Sequence, residues 1–347
     1  MSKLRVLRAF DRIGVWGAIL EARKAGLWPW SGLTVVLYHR VVGVDNVGGL
    51  DPDLIDATPE EFDQQMAFLR RHFVPVGLPE VQRAARGAER LPPNAVLVTF
   101  DDGYRDNYEN ALPILVRHGL KGVFFVSTSY VTERRLFWWE QVSYFIRQAR
   151  RFQAALTYPE PVQLDLRDAG ARAAATSRIN RLIKDRFDLD INRLLADLAR
   201  ACDVPWSPER ERELADPTLM SWEQVRGLLD AGMAVGSHTC NHRVLETLPE
   251  PELDRELADS RRELESRLGQ TIDSIAYPVG RSIARRRPIR DALRRAGYQV
   301  GFTARPGINR FRGGELDDLY DLKRLPIDRG TSGFASRAHL AVPWLAR

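Results

Sequence analysis

Two short segments carry side chains able to do chemistry together. Thr99-Phe100-Asp101-Asp102-Gly103-Tyr104 sets two carboxylates side by side, and Ser237-His238-Thr239-Cys240-Asn241-His242 brings two imidazoles within one short stretch. Two histidines and one carboxylate can hold a divalent cation at three positions and leave others open, as a hydrolytic metal needs for its water. The second carboxylate then remains as a base for that water, whose pKa the cation lowers toward neutrality. Taken alone, the H-x3-H spacing also suits a solvated helix face, and the aspartate pair also suits a solvated turn before Gly103.

The surrounding residues favour the chemical reading. Met233-Ala234-Val235-Gly236 reads as a buried strand that gives way to the first histidine. Ala95-Val96-Leu97-Val98-Thr99-Phe100 likewise ends at Asp101. Adjacent carboxylates at the end of a buried strand repel unless a cation or a proton relieves them. Both clusters therefore stand at carboxyl ends of predicted strands, where α/β sheets and barrels bind ligands.

Other elements follow the same alternation. Strands are predicted at Leu33-Thr34-Val35-Val36-Leu37-Tyr38-His39, Val123-Phe124-Phe125-Val126, Ser274-Ile275-Ala276-Tyr277 and Gln299-Val300-Gly301-Phe302. Thr58-Pro59-Glu60-Glu61 is a capping box that opens a helix with Phe62, Met66 and Leu69 on one face. A helix runs through Leu112 and Leu115 to Gly119, and Ser221-Trp222-Glu223-Gln224 opens another. Leu253, Leu257, Leu264 and Leu268 stripe a further one, ended by Gly269. Strands alternating with helices imply an α/β fold with a parallel sheet. Between Phe137 and Leu219 the alternation stops, and residues 173–201 are Ala-, Leu- and Arg-rich at helical spacing. This predicts a helical insertion at about 137–219 on the catalytic face, shaping a groove or a lid. Trp138 and Trp139 at its start either stack on sugar rings or pack at its base.

These segments resemble the polysaccharide deacetylases of the NodB-homology type, carbohydrate esterase family four. TFDDGY is similar to that family's first motif, His238-Thr239-Cys240-Asn241-His242 to its second, and Ala276-Tyr277-Pro278-Val279-Gly280 stands in the place of its third, usually R-x-P-Y-G. The resemblance runs from about Leu33 to Ile327, apart from the insertion. It implies an irregular (β/α) barrel of about seven strands, a closure that periodicity cannot show. It implies Asp101 as catalytic base and one divalent metal, most often zinc, on Asp102, His238 and His242. Tyr104, Tyr277, Pro278, Trp138 and Trp139 become candidates to bind or orient substrate.

The chain departs from the family in two places. The third-motif arginine that orients the base is Ala276 here, and Arg324 in Leu322-Lys323-Arg324-Leu325-Pro326-Ile327 is the candidate stand-in. No Leu-x-His follows the third motif; the only later histidine is His339. His39, at the end of the first strand, resembles the general acid of the circularly permuted branch typified by exopolysaccharide poly-N-acetylglucosamine deacetylases.

Composition bounds the rest. The 347 residues are 44% hydrophobic, enough for a sizeable core. Two cysteines, Cys202 and Cys240, are too few for a disulfide framework, and Cys240 reads as a small buried filler between the histidines. No run of about 18 apolar residues predicts a membrane span. Residues 1–30 place Val6, Phe10, Ile13, Trp16 and Leu20 at helical spacing among basic residues, without a cleavage site. This segment reads either as a peripheral amphipathic helix or as a helix docked on the domain of residues 31–347, in a cytoplasmic protein. The net charge is +5, with Arg281, Arg285, Arg286, Arg287, Arg290, Arg294 and Arg295 crowded after the third motif. They suit a lipid pyrophosphate or an anionic glycan, or a solvated helix face. No motif for nucleic-acid reading accompanies the charge.

The sequence thus points to a metal-dependent N-deacetylase acting on an N-acetylated sugar in a polymer or a lipid-linked precursor. Its rivals are a hydrolase of a small cyclic imide or a formamide, and a non-catalytic glycan-binding module with a degenerate site. A non-haem iron oxygenase shares the ligand types but lacks its H-x-D…H order here.

Overall fold

Runs rich in β-branched and aromatic residues, apolar on both faces, make strands that other layers must cover. The computed structural model, which describes residues 12–25, 27, 32–46, 50–312, 315–316, 318–327, 338 and 340–341, bears this out. Strands β1 (Gly32–Tyr38), β2 (Ala95–Phe100) and β3 (Gly122–Val126) are buried at every residue. They are followed by β4 (Ala234–Ser237), β5 (Ser274–Ala276), β6 (Val300–Phe302) and the short β7 (Leu325–Pro326). Each neighbouring pair from β1 to β6 is parallel, and β7 pairs parallel with β1 on its other side.

The segment around β7 links the two edges of the curled sheet. Leu322 bridges Phe302 of β6, with its N–H donating to the Gly301 carbonyl at 2.9 Å. Five residues on, the Ile327 N–H donates to the Leu37 carbonyl of β1 at 3.0 Å. The result is the irregular (β/α) barrel of about seven strands that the family resemblance implies. Asn309–Arg312 adds an antiparallel strand against the start of β1.

The helices form where their end signals stand. Thr58 makes both halves of its capping box, and helix Pro59–His72 buries Phe62, Met66 and Leu69. Ser221 does the same for Trp222–Asp230. Gly269, at φ 69°, ends helix Glu250–Leu268 in the left-handed region that glycine enters freely. The helix after TFDDGY begins as one wide π turn, Asn107–Ala111, before Leu112–His118; such turns often mark functional sites.

Between β3 and β4 lie helices Thr128–Glu133, Trp138–Arg147, Ala169–Asp185, Ile191–Ala201 and Pro208–Ala215. This stretch also holds a hairpin, Gln153–Leu156 with Val162–Asp165, whose residues alternate buried and exposed. Four-residue strands carry too short a period-2 signal to stand out beside the helical spacing around them. The stretch has its own core, in which Ile179, Leu194 and Leu198 are fully buried, separate from the barrel core. At about 1.5–3 kcal/mol for each fully buried aliphatic side chain, that core outweighs the small differences in helix propensity.

Helix Val15–Lys24 turns Trp16 and Leu20 onto the domain, and Arg23 donates to the Ala341 carbonyl at 2.8 Å. Val6, Phe10 and His339 lie outside the described residues. Among the described residues no helix is long and apolar enough to cross a membrane.

Candidate active site

The end of β2 parts the two aspartates. Asp101 still belongs to the ladder, its N–H donating to the Tyr38 carbonyl at 3.0 Å. Asp102 then takes φ 76° and Gly103 φ 100°. A left-handed aspartate costs of order 1–3 kcal/mol and persists where its surroundings hold it. Here its carbonyl accepts the Ser127 N–H at 3.1 Å. The turn sends the adjacent carboxylates to different partners, Asp102 to the histidines and Asp101 to Arg324.

The histidine loop meets Asp102. His238 leaves β4, and Thr239 (φ 65°) and His242 (φ 50°) turn the chain back on itself. Nε2 of His238 and Nε2 of His242 each lie 3.4 Å from Asp102 Oδ1. Nδ1 of His238 is 2.8 Å from the Ala276 carbonyl, which can only accept. That nitrogen carries the proton, so Nε2 is free to take a metal. Burial above all pushes the His242 imidazole well below its usual range and keeps it neutral. Asp102 Oδ1 is buried with no hydrogen-bond partner among the described residues.

These residues fit a divalent cation. Bonds of about 2.0–2.2 Å at near-tetrahedral angles set ligand atoms about 3.4 Å apart, the spacing found here. The three ligand atoms all lie within 4.8 Å of one another. A buried carboxylate oxygen beside two imidazole nitrogens, with no donor among the described residues, suits a cation.

Arg324 occupies the place left by Ala276. It is fully buried, and its Nη1 and Nη2 donate to Oδ1 and Oδ2 of Asp101, each at 2.7 Å. Its Nε donates to the Thr303 carbonyl at 2.8 Å, which fixes the fork. Burial alone would raise the Asp101 pKa; the opposing interactions, led by the charge of Arg324 and its hydrogen bonds, more than offset it and hold the carboxyl below the ordinary range. Asp101 Oδ2 is also 3.8 Å from His238 Nε2, at the edge of the cation cluster.

His39 follows β1 on the same face. Its N–H donates to Asp56 Oδ2, and Nδ1 is 3.3 Å from the same oxygen. Burial opposes its protonation, but Asp56, then Asp102 and Asp101, push its pKa up to about 9. Asp56 was not legible in the sequence; its one local signal is a carboxylate between the apolar neighbours Ile55 and Ala57.

The other nominated residues stand behind this face. Trp138 and Trp139 are 2% and 7% exposed, so they pack at the base of the insertion and offer no open sugar platform. Trp139 stacks on Phe137 and lies 4.3 Å from the His242 ring, between centroids. Its Nε1 donates to the Tyr104 hydroxyl, which donates to Glu140 Oε1. Glu140 also meets Arg40, whose Nε donates to Asp106. Tyr104 is thereby committed to a buried polar network that sequence reasoning did not find. Tyr277 donates its hydroxyl to the Tyr320 carbonyl, away from the cation cluster, and Pro278 is buried beside it. Both shape the third-motif loop and have no open face for substrate.

Cys240 is not among the clustered ligands, and burial pushes its thiol up to about 12. The arginines after the third motif are mostly matched by acids. Arg281 meets Asp185 and Glu246, Arg286 meets Glu246, Arg290 meets Asp318, Arg294 meets Asp291, and Arg295 meets Glu250 and Asp254.

The sequence model for polysaccharide deacetylase matches residues 88–301. The chain belongs to the polysaccharide deacetylase family, hydrolases that cut the N-acetyl amide bond. It is 22% identical to the Bacillus subtilis protein YxkH over 310 residues, covering 89% of this chain and 76% of that protein. It is 33% identical to the Escherichia coli poly-beta-1,6-N-acetyl-D-glucosamine N-deacetylase over 89 residues, which are 25% of this chain and 13% of that protein. The fold superposes on the Streptococcus pyogenes deacetylase PplD, solved in complex with acetate, with a TM-score of 0.55 at 20% identity, over 88% of this chain and 96% of that one.

Proposed function

We propose that this protein is a metal-dependent N-deacetylase that hydrolyses the acetamide of N-acetylated sugars in a polysaccharide or a lipid-linked glycan precursor. The observation that carries this reading is Asp102 Oδ1, buried with no donor among the described residues and 3.4 Å from two imidazole nitrogens. Asp102, His238 and His242 would hold one divalent ion, most simply Zn2+. Such an ion supplies a Lewis acid for the amide carbonyl and acidifies a water. Asp101, kept ionised by Arg324, takes that water's proton. His39, kept protonated by Asp56, gives a proton to the departing nitrogen. Acetate leaves and a free amine remains. Residues 31–347 are assigned to this catalytic domain and residues 1–30 to an N-terminal helical segment, of which helix Val15–Lys24 docks on the domain through Trp16 and Leu20; a cytoplasmic location is part of the same proposal.

The test is acetate release from a panel of N-acetylated glycans, beginning with β-1,6-linked poly-N-acetylglucosamine, the polymer named for the Escherichia coli relative. Activity is expected to vanish with a chelator and return with zinc. Turnover of a cyclic imide or a formamide with no acetate from any glycan would overturn the substrate. Binding of glycan without turnover in the zinc-loaded protein would leave only a binding module.

Two variants test the assignments. His238→Ala is expected to lose most of the bound zinc, read by metal analysis of the purified protein; full retention would remove His238 from the ligand set. His39→Ala is expected to abolish the basic limb of the pH–rate profile while keeping zinc and fold. The sign follows from the direction of the shift. An acid raised to about 9 is protonated below that pH and fails above it, and a nearby cation draws the limb lower. Asp56→Asn removes what raises the imidazole and is expected to move the same limb to lower pH. An unchanged profile in both variants would leave His39 a structural strand-end residue.

A further inference from the structure

Helix Glu250–Leu268 packs under β4 and the loop that carries the two histidines. Glu256 and Ser260 stand one turn apart on the helix face turned to that loop. Ser260 Oγ lies 2.8 Å from Ser237 Oγ, which accepts the Thr239 N–H at 3.1 Å. Glu256 reaches further along. Its Oε2 accepts the N–H groups of Cys240 and Asn241 at 3.0 and 2.8 Å, and its Oε1 accepts Asn241 Nδ2 at 2.8 Å.

This is an unusual use of a carboxylate. Glu256 is 7% exposed and forms no ion pair among the described residues. Its charge is met by two successive backbone N–H groups, a concavity of the kind that binds anions. Those two amides lie between His238 and His242. The same loop holds two non-glycine residues, Thr239 and His242, at positive φ, a conformation that such residues avoid unless something fixes it. That backbone is also what aims both imidazoles at Asp102. Glu256 itself lies outside the group of clustered ligand atoms.

We propose that Glu256 is a positioning residue for the cation site: its carboxylate clamps the Cys240–Asn241 backbone so that His238 and His242 present Nε2 together. The inference rests on the metal reading above and adds that affinity for the ion depends on a side chain that never touches it. A purely structural Glu256 would lower stability and leave affinity alone. Removing an outer partner of a metal ligand typically weakens binding about 10–100-fold.

The experiment measures zinc Kd by competition with a fluorescent chelator, at a temperature where circular dichroism shows each variant folded. Glu256→Gln keeps the shape but loses the charge and replaces one of the two acceptor oxygens by an amide NH2, and is expected to weaken zinc binding about 10–100-fold. Glu256→Asp keeps the charge one methylene short and is expected to fall between Gln and wild type. At saturating zinc, kcat and KM should return toward wild type, because the clamp acts through occupancy. Wild-type zinc affinity in folded Glu256→Gln overturns the inference. Where Gln does not fold, wild-type affinity in folded Glu256→Asp does so. His238→Ala in the same assay separates the two levels: zinc retained there overturns the site itself, whereas zinc lost there but held normally by the Glu256 variants overturns only the clamp.

Discussion

Arg324→Met is expected to destabilise the protein by about 3–5 kcal/mol at neutral pH and to move the acid limb of its pH–activity profile upward. The pair it breaks is bidentate, fully buried on the arginine side and 4% exposed on the Asp101 side. Removing one partner of such a pair strands a buried charge, which costs far more than the pair itself contributes. The pH dependence gives the sign. In the wild type the Asp101 carboxyl is held below its unfolded value, about 3.9. It therefore adds stability that is present above that value and fades as pH falls through the folded pKa. In Arg324→Met burial dominates and the carboxyl rises above its unfolded value. The defect is then greatest at neutral pH and shrinks on acidification, as the stranded carboxylate takes a proton. Urea unfolding at several pH values checks this. Adding Asp101→Asn to Arg324→Met should restore part of the stability, since neither charge of the pair remains, while leaving activity lost. Arg324→Lys keeps the charge without the planar fork and should rescue stability better than it rescues rate. A defect that is the same at every pH would mean that Arg324 packs the barrel closure without steering Asp101.

Asp101→Asn is expected to keep the proposed divalent ion and lose about 10²–10⁴-fold in kcat, the range for a removed acid–base group. The geometry makes this a sharp test, because Asp101 Oδ2 is 3.8 Å from His238 Nε2 and only 0.4 Å farther than Asp102 Oδ1 (3.8 against 3.4 Å). Distance alone does not exclude Asp101 as a ligand. What separates the two carboxylates is how their oxygens are engaged. Both Asp101 oxygens accept from Arg324, whereas Asp102 Oδ1 has no donor among the described residues. Metal analysis and acetate release on the same preparation decide between the roles. Zinc lost in step with activity would show the aspartates sharing the ion, and unchanged activity would leave the base elsewhere.

Much of the site was written locally. Asp101, Asp102, His238 and His242 each follow a run of buried strand residues, so a strand reading placed them at strand ends before any contact was known. Contiguity is the reason: eight to ten neighbouring residues, Ala95 to Asp102 and Met233 to His242, carry both the strand signal and the ligands. The capping boxes at Thr58 and Ser221 and the glycine stops at Gly119 and Gly269 are local in the same way, and the helices they bound follow. What no local pattern carries is pairing across the fold. Arg324 could be nominated, but its partner lies 223 residues away, and β7, with two residues, has no period to read. Only the bonds of Leu322 to β6 and of Ile327 to β1 bring that guanidinium under Asp101. Asp56 beside His39 and Glu256 under the histidine loop depend on the same kind of long-range contact. The tryptophans show the converse. Trp138 and Trp139 have the chemistry to stack on sugars, and the insertion's packing buries them. Residue type and spacing thus determined which groups this protein brings to one end of its strands. Barrel closure and the packing around it decided which of them are paired, which are covered and which oxygen is left without a donor, because burial and charge pairing are properties of segments that meet only in the folded chain.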